Sequence, residues 1–267
     1  MEWETLPANR SDAIEDVQGQ RDARRVAIDA VGIRSLKLPI SIDDAGQVQH
    51  TVAEVSCSVE LPAERRGTHM SRFVALLAEQ RKPLSAETLP TLLAEMAVRL
   101  EARISEITFD FPFFVHKKAP MSGVGSPMDY RVRLHARLAG GVARVTTDVT
   151  VPVTSLCPCS KEISAYGAHN QRSHVRVAVN GPESIGICSL IELVEAEASA
   201  PLYGLLKRED EKQVTEQAYD NPKFVEDMVR DVALRLREQP GIDTFRVEVE
   251  NFESIHNHSA YAVIEQN

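Results

Sequence analysis

Residues 155–170 read SLCPCSKEISAYGAHN, so two of the chain's four cysteines, Cys157 and Cys159, stand on either side of Pro158, and His169 follows. A cysteine without chemistry is a small buried hydrophobe of regular elements, and a pair flanking a proline calls for another reason. Thiolate, imidazole and carboxylate are the ligands of zinc-like ions, and a catalytic site keeps one position free for water or substrate. The chain offers more donors of these kinds in His174, in the run Glu209, Asp210 and Glu211, and in His256 and His258. They are spread over four segments, whereas a structural zinc knuckle pairs its cysteines twice at short spacing. Scatter points to a site that the fold assembles, but C-x-C is not a finger spacing, and spacing alone leaves metal binding open.

Most of the other candidates read as scaffold. Cys57 sits in an alternating strand and Cys188 opens an apolar helix, so both read as packing. His50, His116 and His135 lie in or near strands with no donors beside them, and His174 begins a strand. A charge run such as Glu209 to Lys212 is by default a solvated face. Cys157, Cys159, His169 and His256 resist such readings by position. Rival motifs fail: the zinc nucleobase deaminases need H-x-E ahead of P-C-x-x-C, and the chain has no G-x-S-x-G, P-loop or G-x-G-x-x-G.

The positioning elements must come from a chain of 267 residues, 43% hydrophobic and 26% charged, which is the balance of an ordinary globular protein. Apolar runs fall short of the roughly 18 residues that a membrane helix needs, so no membrane partner is expected. The polar, acidic start lacks a secretory signal, and four cysteines make no disulfide framework; both point to the cytoplasm. A net charge of −9 disfavours nucleic acid.

The first 25 residues read as a mobile segment. Arg25 to Ile42 and Val48 to Leu61 then have strand character, broken by a turn at Asp43-Asp44-Ala45-Gly46. Met70, Phe73, Val74 and Leu77 form one helical stripe, and Leu89, Leu92, Leu93, Met96 and Leu100 a second. Ile107, Phe109 and Phe111, then Tyr130, Val132 and Leu134, alternate as strands. The order ββααββ recurs: Val145 to Val153 and Val175 to Val179 as strands, Leu190 to Val194 as a helix, and Val225 to Leu236 as another with Asn221 as cap and Pro222 at its first position. Phe245 to Val249 and Tyr261 to Ile264 end the chain as strands. The reading is α+β, with antiparallel sheets, helices on one face and two units, 26–140 and 141–267, meeting near Gly140-Gly141. Two long links, Ser155 to Ser173 and Ala200 to Asn221, hold the candidate chemistry.

Four stretches in order, GTHMSRF (67–73), PCSKEISAYGAHNQRSH (158–174), LLKREDEKQVTEQAYDNPKFVED (205–227) and FESIHNHSAYA (252–262), resemble the GTP cyclohydrolase I type B family over about residues 30 to 267. The resemblance implies the tunnelling fold, two ββααββ units per subunit, and homotetramers with sites at subunit interfaces. It implies conversion of GTP and water to 7,8-dihydroneopterin triphosphate and formate, the first step of folate-type pterin synthesis. Cys157, Glu211 and His256 match the family's ligands for a divalent ion, with manganese, iron and zinc all compatible, and His169 is a further ligand or a proton-handling partner. Cys159 matches an active-site thiol that faces substrate, Glu226 the carboxylate that anchors a purine or pterin, and Glu253 a further substrate contact. His69, Arg72, Lys161 and Arg172 are the cations within these motifs available to a triphosphate. A fold relative, the nitrile reductases, also uses a cysteine and a purine-anchoring glutamate but would have no use for Cys157, Glu211 and His256 together.

Overall fold

A computed structural model describes residues 16–181 and 185–267. The chain order is β1 (Ile28–Asp44), β2 (Gln47–Leu61), α1 (Met70–Glu79), α2 (Leu89–Leu100), β3 (Ser105–Lys118), β4 (Gly125–Ala139), β5 (Val142–Leu156), α3 (Pro158–Ile163), β6 (Asn170–Asn180), α4 (Ile187–Glu197), β7 (Ala200–Pro201), α5 (Arg208–Asp220), α6 (Val225–Arg237), β8 (Thr244–Asn251) and β9 (Ala260–Gln266). Two ββααββ halves are visible, the second enlarged by α3, β7 and α5.

The halves share one antiparallel sheet, ordered β1-β2-β3-β4-β5-β6-β8-β9 with β7 on β5, so the antiparallel pairing expected within each unit continues from one unit to the next. Gly140 and Gly141, at φ 59° and 79°, make that join. Positive φ at both central residues is what a tight two-residue hairpin requires, so β4 runs straight into β5 with Ala139 opposite Val142. The strand alternation follows from burial on one face only. Inward rows such as Ile107, Phe109, Phe111 and Phe113, or Val149, Val151 and Val153, are buried beneath the helices. The outward face is laced by ion pairs, including Asp110 with Arg131 and Arg133, and Asp148 with Arg176.

Each helix buries the stripe that its period dictates, with two corrections. In α1 the buried residues are Phe73, Leu76 and Leu77, whereas Met70 and Val74 of the expected stripe are exposed. The last long helix does not start at Pro222. Asn221 instead closes α5, its backbone N–H donating to Gln217 O and its side chain to Ala198 O. Helix α6 starts at Val225, where Asp227 reaches back to accept from Phe224 N at 3.0 Å. Its buried side includes Met228, Val229, Val232 and Leu236.

The long links are structured as well. The β5–β6 connection is shorter than expected and contains α3, while the Ala200 to Asn221 link is β7 followed by α5. Residues 16–25, expected to be mobile, run beside 64–68 rather than standing free: Gly67 N donates to Gln18 O, Arg66 N to Gln20 O and Asp22 N to Glu64 O. Residues 1–15 of that segment lie outside the described residues. The tip of the β1–β2 hairpin crosses to the second half, where Asp44 Oδ1 accepts from Ile187 N at 2.6 Å and Oδ2 from Cys188 N at 3.0 Å, capping α4.

Candidate active site

Strands β5, β6 and β8 reach the same end of the sheet side by side, with Leu156 opposite Asn170 and Ser173 opposite Asn251. Helix α3 begins there. Pro158 suits its first position because its ring presets φ and the missing N–H would have had no helical partner. Cys157 is the N-cap, and its half-buried Sγ accepts from Ser160 N at 3.4 Å. Cys157 N donates to His169 O at 3.1 Å, Ser160 Oγ donates to Cys157 O, and His169 N donates to Ser160 Oγ. Four hydrogen bonds thus tie the thiol and the imidazole residue into one turn.

The two candidate histidines are held in the same manner. His169 Nδ1 is 3.0 Å from Gln171 Oε1 and 3.4 Å from Ser254 Oγ, and His256 Nδ1 is 3.3 Å from Glu253 Oε2. Their rings meet edge to face with centroids 6.4 Å apart, and His256 stacks on His258. Neither Nε2 has a hydrogen-bond partner among the described residues. An imidazole with Nδ1 held by an oxygen and Nε2 bare is the arrangement of metal-ligating histidines, and with a thiolate beside it the donors suit a divalent ion of borderline softness. Among the described residues, however, no three His, Cys, Asp or Glu side chains in this single chain converge on a common point.

Glu211 accounts for part of that gap. It stands in the first turn of α5, and its carboxylate bonds to none of Cys157, His169 or His256. Only Asp210 and Ala218 of this helix are buried, so α5 is seated by polar contacts rather than by an apolar stripe. Asp210, 0% exposed, accepts from Met121 N, Ser122 N, Ser122 Oγ and Lys207 N at 2.6–2.9 Å. Burial raises its carboxyl pKa, and these four donors outweigh that and hold it well below the carboxylate range. At the other end of α5, Lys161 of α3 donates to Tyr219 O and lies 4.3 Å above the Tyr219 ring. The lysine expected to meet a triphosphate thus joins α3 to α5.

The other expected substrate residues divide by location. Glu226 is exposed in the first turn of α6; Lys223, just before that helix, donates its backbone N–H to Leu156 O, so Glu226 shares the end of the sheet that holds Cys157. Arg172 is exposed, and its guanidinium has no partner among the described residues. Cys159 is exposed in α3. His69 and Arg72 lie at the opposite end of the strands, past Leu61 and beside Glu101. His69 Nε2 is 3.3 Å from Asp16 Oδ2, and Arg72 donates to Arg99 O at 2.9 Å. The 15 residues of β5 alone span about 50 Å, so these two cannot join Cys157 within one chain.

The side chains around His169 escaped the sequence reading. Gln171, Ser155, Ser173 and Asn251 are buried and bonded in series: Gln171 Nε2 to Ser155 Oγ, Ser155 Oγ to Ser173 Oγ and Ser173 Oγ to Asn251 Oδ1, each 2.7 Å. Their signal was a polar residue in the inward phase of an apolar row, as Ser155 follows Val149, Val151 and Val153. Of the cysteines read as packing, Cys57 is buried, with its thiol pushed up to about 12 by desolvation. Cys188 is only half-buried, pushed to about 12 by desolvation and by Asp44.

The model of the type I GTP cyclohydrolase FolE2 family matches residues 14–262. This chain belongs to that family. It is 54% identical to GTP cyclohydrolase FolE2 of Aromatoleum aromaticum over 262 residues, covering 97% of this chain and 96% of the relative. It is 55% identical to GTP cyclohydrolase FolE2 of Neisseria gonorrhoeae over 252 residues, 94% and 98% of the two chains. Among solved structures, uricase from Arthrobacter globiformis shares the fold, with a TM-score of 0.51 at 9% identity over 89% of this chain and 92% of that one. A hyper-thermostable AgUricase variant gives 0.53 at 10%, covering 90% and 92%. The tunnelling fold expected from the sequence is thus the fold of this chain.

Proposed function

We propose that this chain is a metal-dependent GTP cyclohydrolase I that converts GTP and water to 7,8-dihydroneopterin triphosphate and formate, at the entry to folate-type pterin synthesis in the cytoplasm. The observation that carries this reading is the gathering of Cys157, His169 and His256 at one end of the sheet, both imidazoles held through Nδ1, in a chain of the FolE2 family. Cys157, His169, Glu211 and His256 would hold manganese, iron or zinc. When bound, such an ion supplies a nucleophilic hydroxide at neutral pH, because it lowers the pKa of its water from 15.7 toward about 7.

The remaining work falls to the chain's own groups. Glu226 accepts two hydrogen bonds, from N1–H and the exocyclic amine of guanine, a bidentate contact that adenine lacks at that edge. Opening the imidazole ring needs a proton delivered to a departing ring nitrogen, and the exposed Cys159 thiol stands in the same turn as Cys157 to give it. His169 acts through Nε2, as a ligand or as a base. Glu253 acts first through His256 rather than on substrate, since it fixes that ring. Arg172 is a free cation for the triphosphate, whereas His69 and Arg72 meet it only in the site of another subunit. That division supports sites shared between subunits, in keeping with the homotetramer that the family resemblance implies.

The test is to incubate metal-loaded protein with GTP and measure formate together with a pterin that becomes fluorescent after oxidation. Equal amounts of both support the proposal. Formate without pterin, or neither product, refutes it.

A further inference from the structure

The hydrogen bonds behind His169 can be followed proton by proton. Ser173 Oγ donates to Asn251 Oδ1, and a hydroxyl has one proton, so toward Ser155 it can only accept. The Ser155 proton is then spent on Ser173, and toward Gln171 Ser155 can only accept, which it does from the amide nitrogen. With its NH2 turned to Ser155, Gln171 presents its oxygen to His169 Nδ1 at 3.0 Å. An amide oxygen has nothing to donate, so with the Asn251 and Gln171 amides oriented in this way the proton of the contact sits on Nδ1.

We propose that Gln171, itself oriented by the Ser155–Ser173–Asn251 chain, is a positioning residue that holds the His169 proton on Nδ1 and leaves Nε2 as the ring's lone-pair nitrogen. Histidine in water favours the other tautomer, with the proton on Nε2. The chain therefore selects the less common form, the one able to bind a cation or take a proton through Nε2. Burial makes the selection stringent. Ser155 and Ser173 are fully buried, and among the described residues no buried side-chain nitrogen or oxygen lacks a partner. Reversing any one member alone would leave two donors or two acceptors face to face away from water. Ser254 Oγ, at 3.4 Å, is too distant to set the tautomer. The functional meaning rests on the proposal that His169 works in the site, but the tautomer is a property of the chain without metal.

The test labels the histidines of the full chain with ¹⁵N and reads the ring tautomer by two-bond ¹⁵N–¹H correlation, in metal-free protein near about pH 8.5, above the ordinary histidine range. His169 is expected as the Nδ1–H form. In Gln171→Met the Nε2–H form should dominate and the Zn²⁺ affinity should fall by about 10–100-fold, the usual cost of losing such a partner. Gln171→Glu, which keeps an acceptor oxygen, should restore the Nδ1–H form, and Ser155→Ala should give a mixture of the two. A wild-type ring protonated on Nε2, or an unchanged tautomer in Gln171→Met or Ser155→Ala, would overturn the inference. If His169→Ala leaves Zn²⁺ affinity intact, His169 leaves the ligand set while the tautomer result stands on its own.

Discussion

The two halves of the sheet repeat one plan and differ in how their inward rows end. In the first half, the inward rows are apolar over Ile107 to Phe113 on β3 and Tyr130 to Ala136 on β4, and the buried Ser105 ahead of Ile107 makes one side-chain bond, to Leu93 O of α2, rather than joining a layer across strands. In the second, the valine rows of β5, β6 and β8 run into Ser155, Ser173, Gln171 and Asn251, one polar layer bonded across three strands. A buried polar layer is tolerated only when fully satisfied, and here its outermost member holds a histidine. The second half also carries α3 and α5, short on apolar surface and seated by Cys157, Asp210 and Lys161. The duplicated plan supplies the support, and the candidate site lies where the second copy departs from it.

Exchanging cysteines between the halves is the severest test of that contrast. Cys157→Ala should remove bound metal and lower turnover by at least about 10⁴-fold. Cys57→Ala should leave turnover unchanged and cost about 1–2 kcal/mol of stability, seen in denaturant titration. Full metal content in Cys157→Ala would take Cys157 off the ligand list. Alkylation sharpens the same comparison. At pH 8 a thiol raised to about 12, as in Cys57 and Cys188, is thiolate in roughly one molecule in 10⁴. Its labelling should therefore quicken about tenfold per pH unit, and exposed Cys159 should be modified at least about 10²-fold faster. Mass spectrometry of digested protein reads each site, and early labelling of Cys57 would contradict its burial.

Weaker effects probe how the halves cooperate. Glu226→Ala should raise KM for GTP by about 10–100-fold with kcat within a few-fold, and an unchanged KM would end the anchor role. Mixing inactive Cys157→Ala protein with His69→Ala protein should recover activity if first-half cations serve a neighbour's site. No recovery after subunit exchange would confine each site to one chain. Asp44→Ala should cost about 1–2 kcal/mol, lowering Tm by about 2–4 °C with turnover at 25 °C unchanged. A Tm equal to wild type would show that the α4 cap is dispensable.

Much of this was legible in the residues. Period-2 and period-3.6 rows such as Val149-Val151-Val153 and Met228-Val232-Leu236 are dictated by burial on one face, so those elements were placed correctly. Helix α5 was missed because its seating is a buried carboxylate rather than a stripe. Its strong helix formers, Arg208, Glu209, Glu211, Lys212 and Gln213, read as a solvated charge run. Asn221-Pro222 looked like a helix start, but the Asn221 amide is drawn to Ala198 O by tertiary packing. Cys157 and His169 could be singled out from position, whereas the polar layer left only the phase of a residue such as Ser155 as its signal. A serine at the end of a valine row acquires meaning only when two neighbouring strands present theirs at the same height.

The hairpin tip that crosses to α4 sets an order of events during synthesis. The ribosome delivers Asp44 long before the amides of Ile187 and Cys188 that it must receive, so the leading portion of the nascent chain waits with that carboxylate in water. Completion of the trailing portion locks both together, and fragments cut at Gly140-Gly141 should need each other in the same tube to mature.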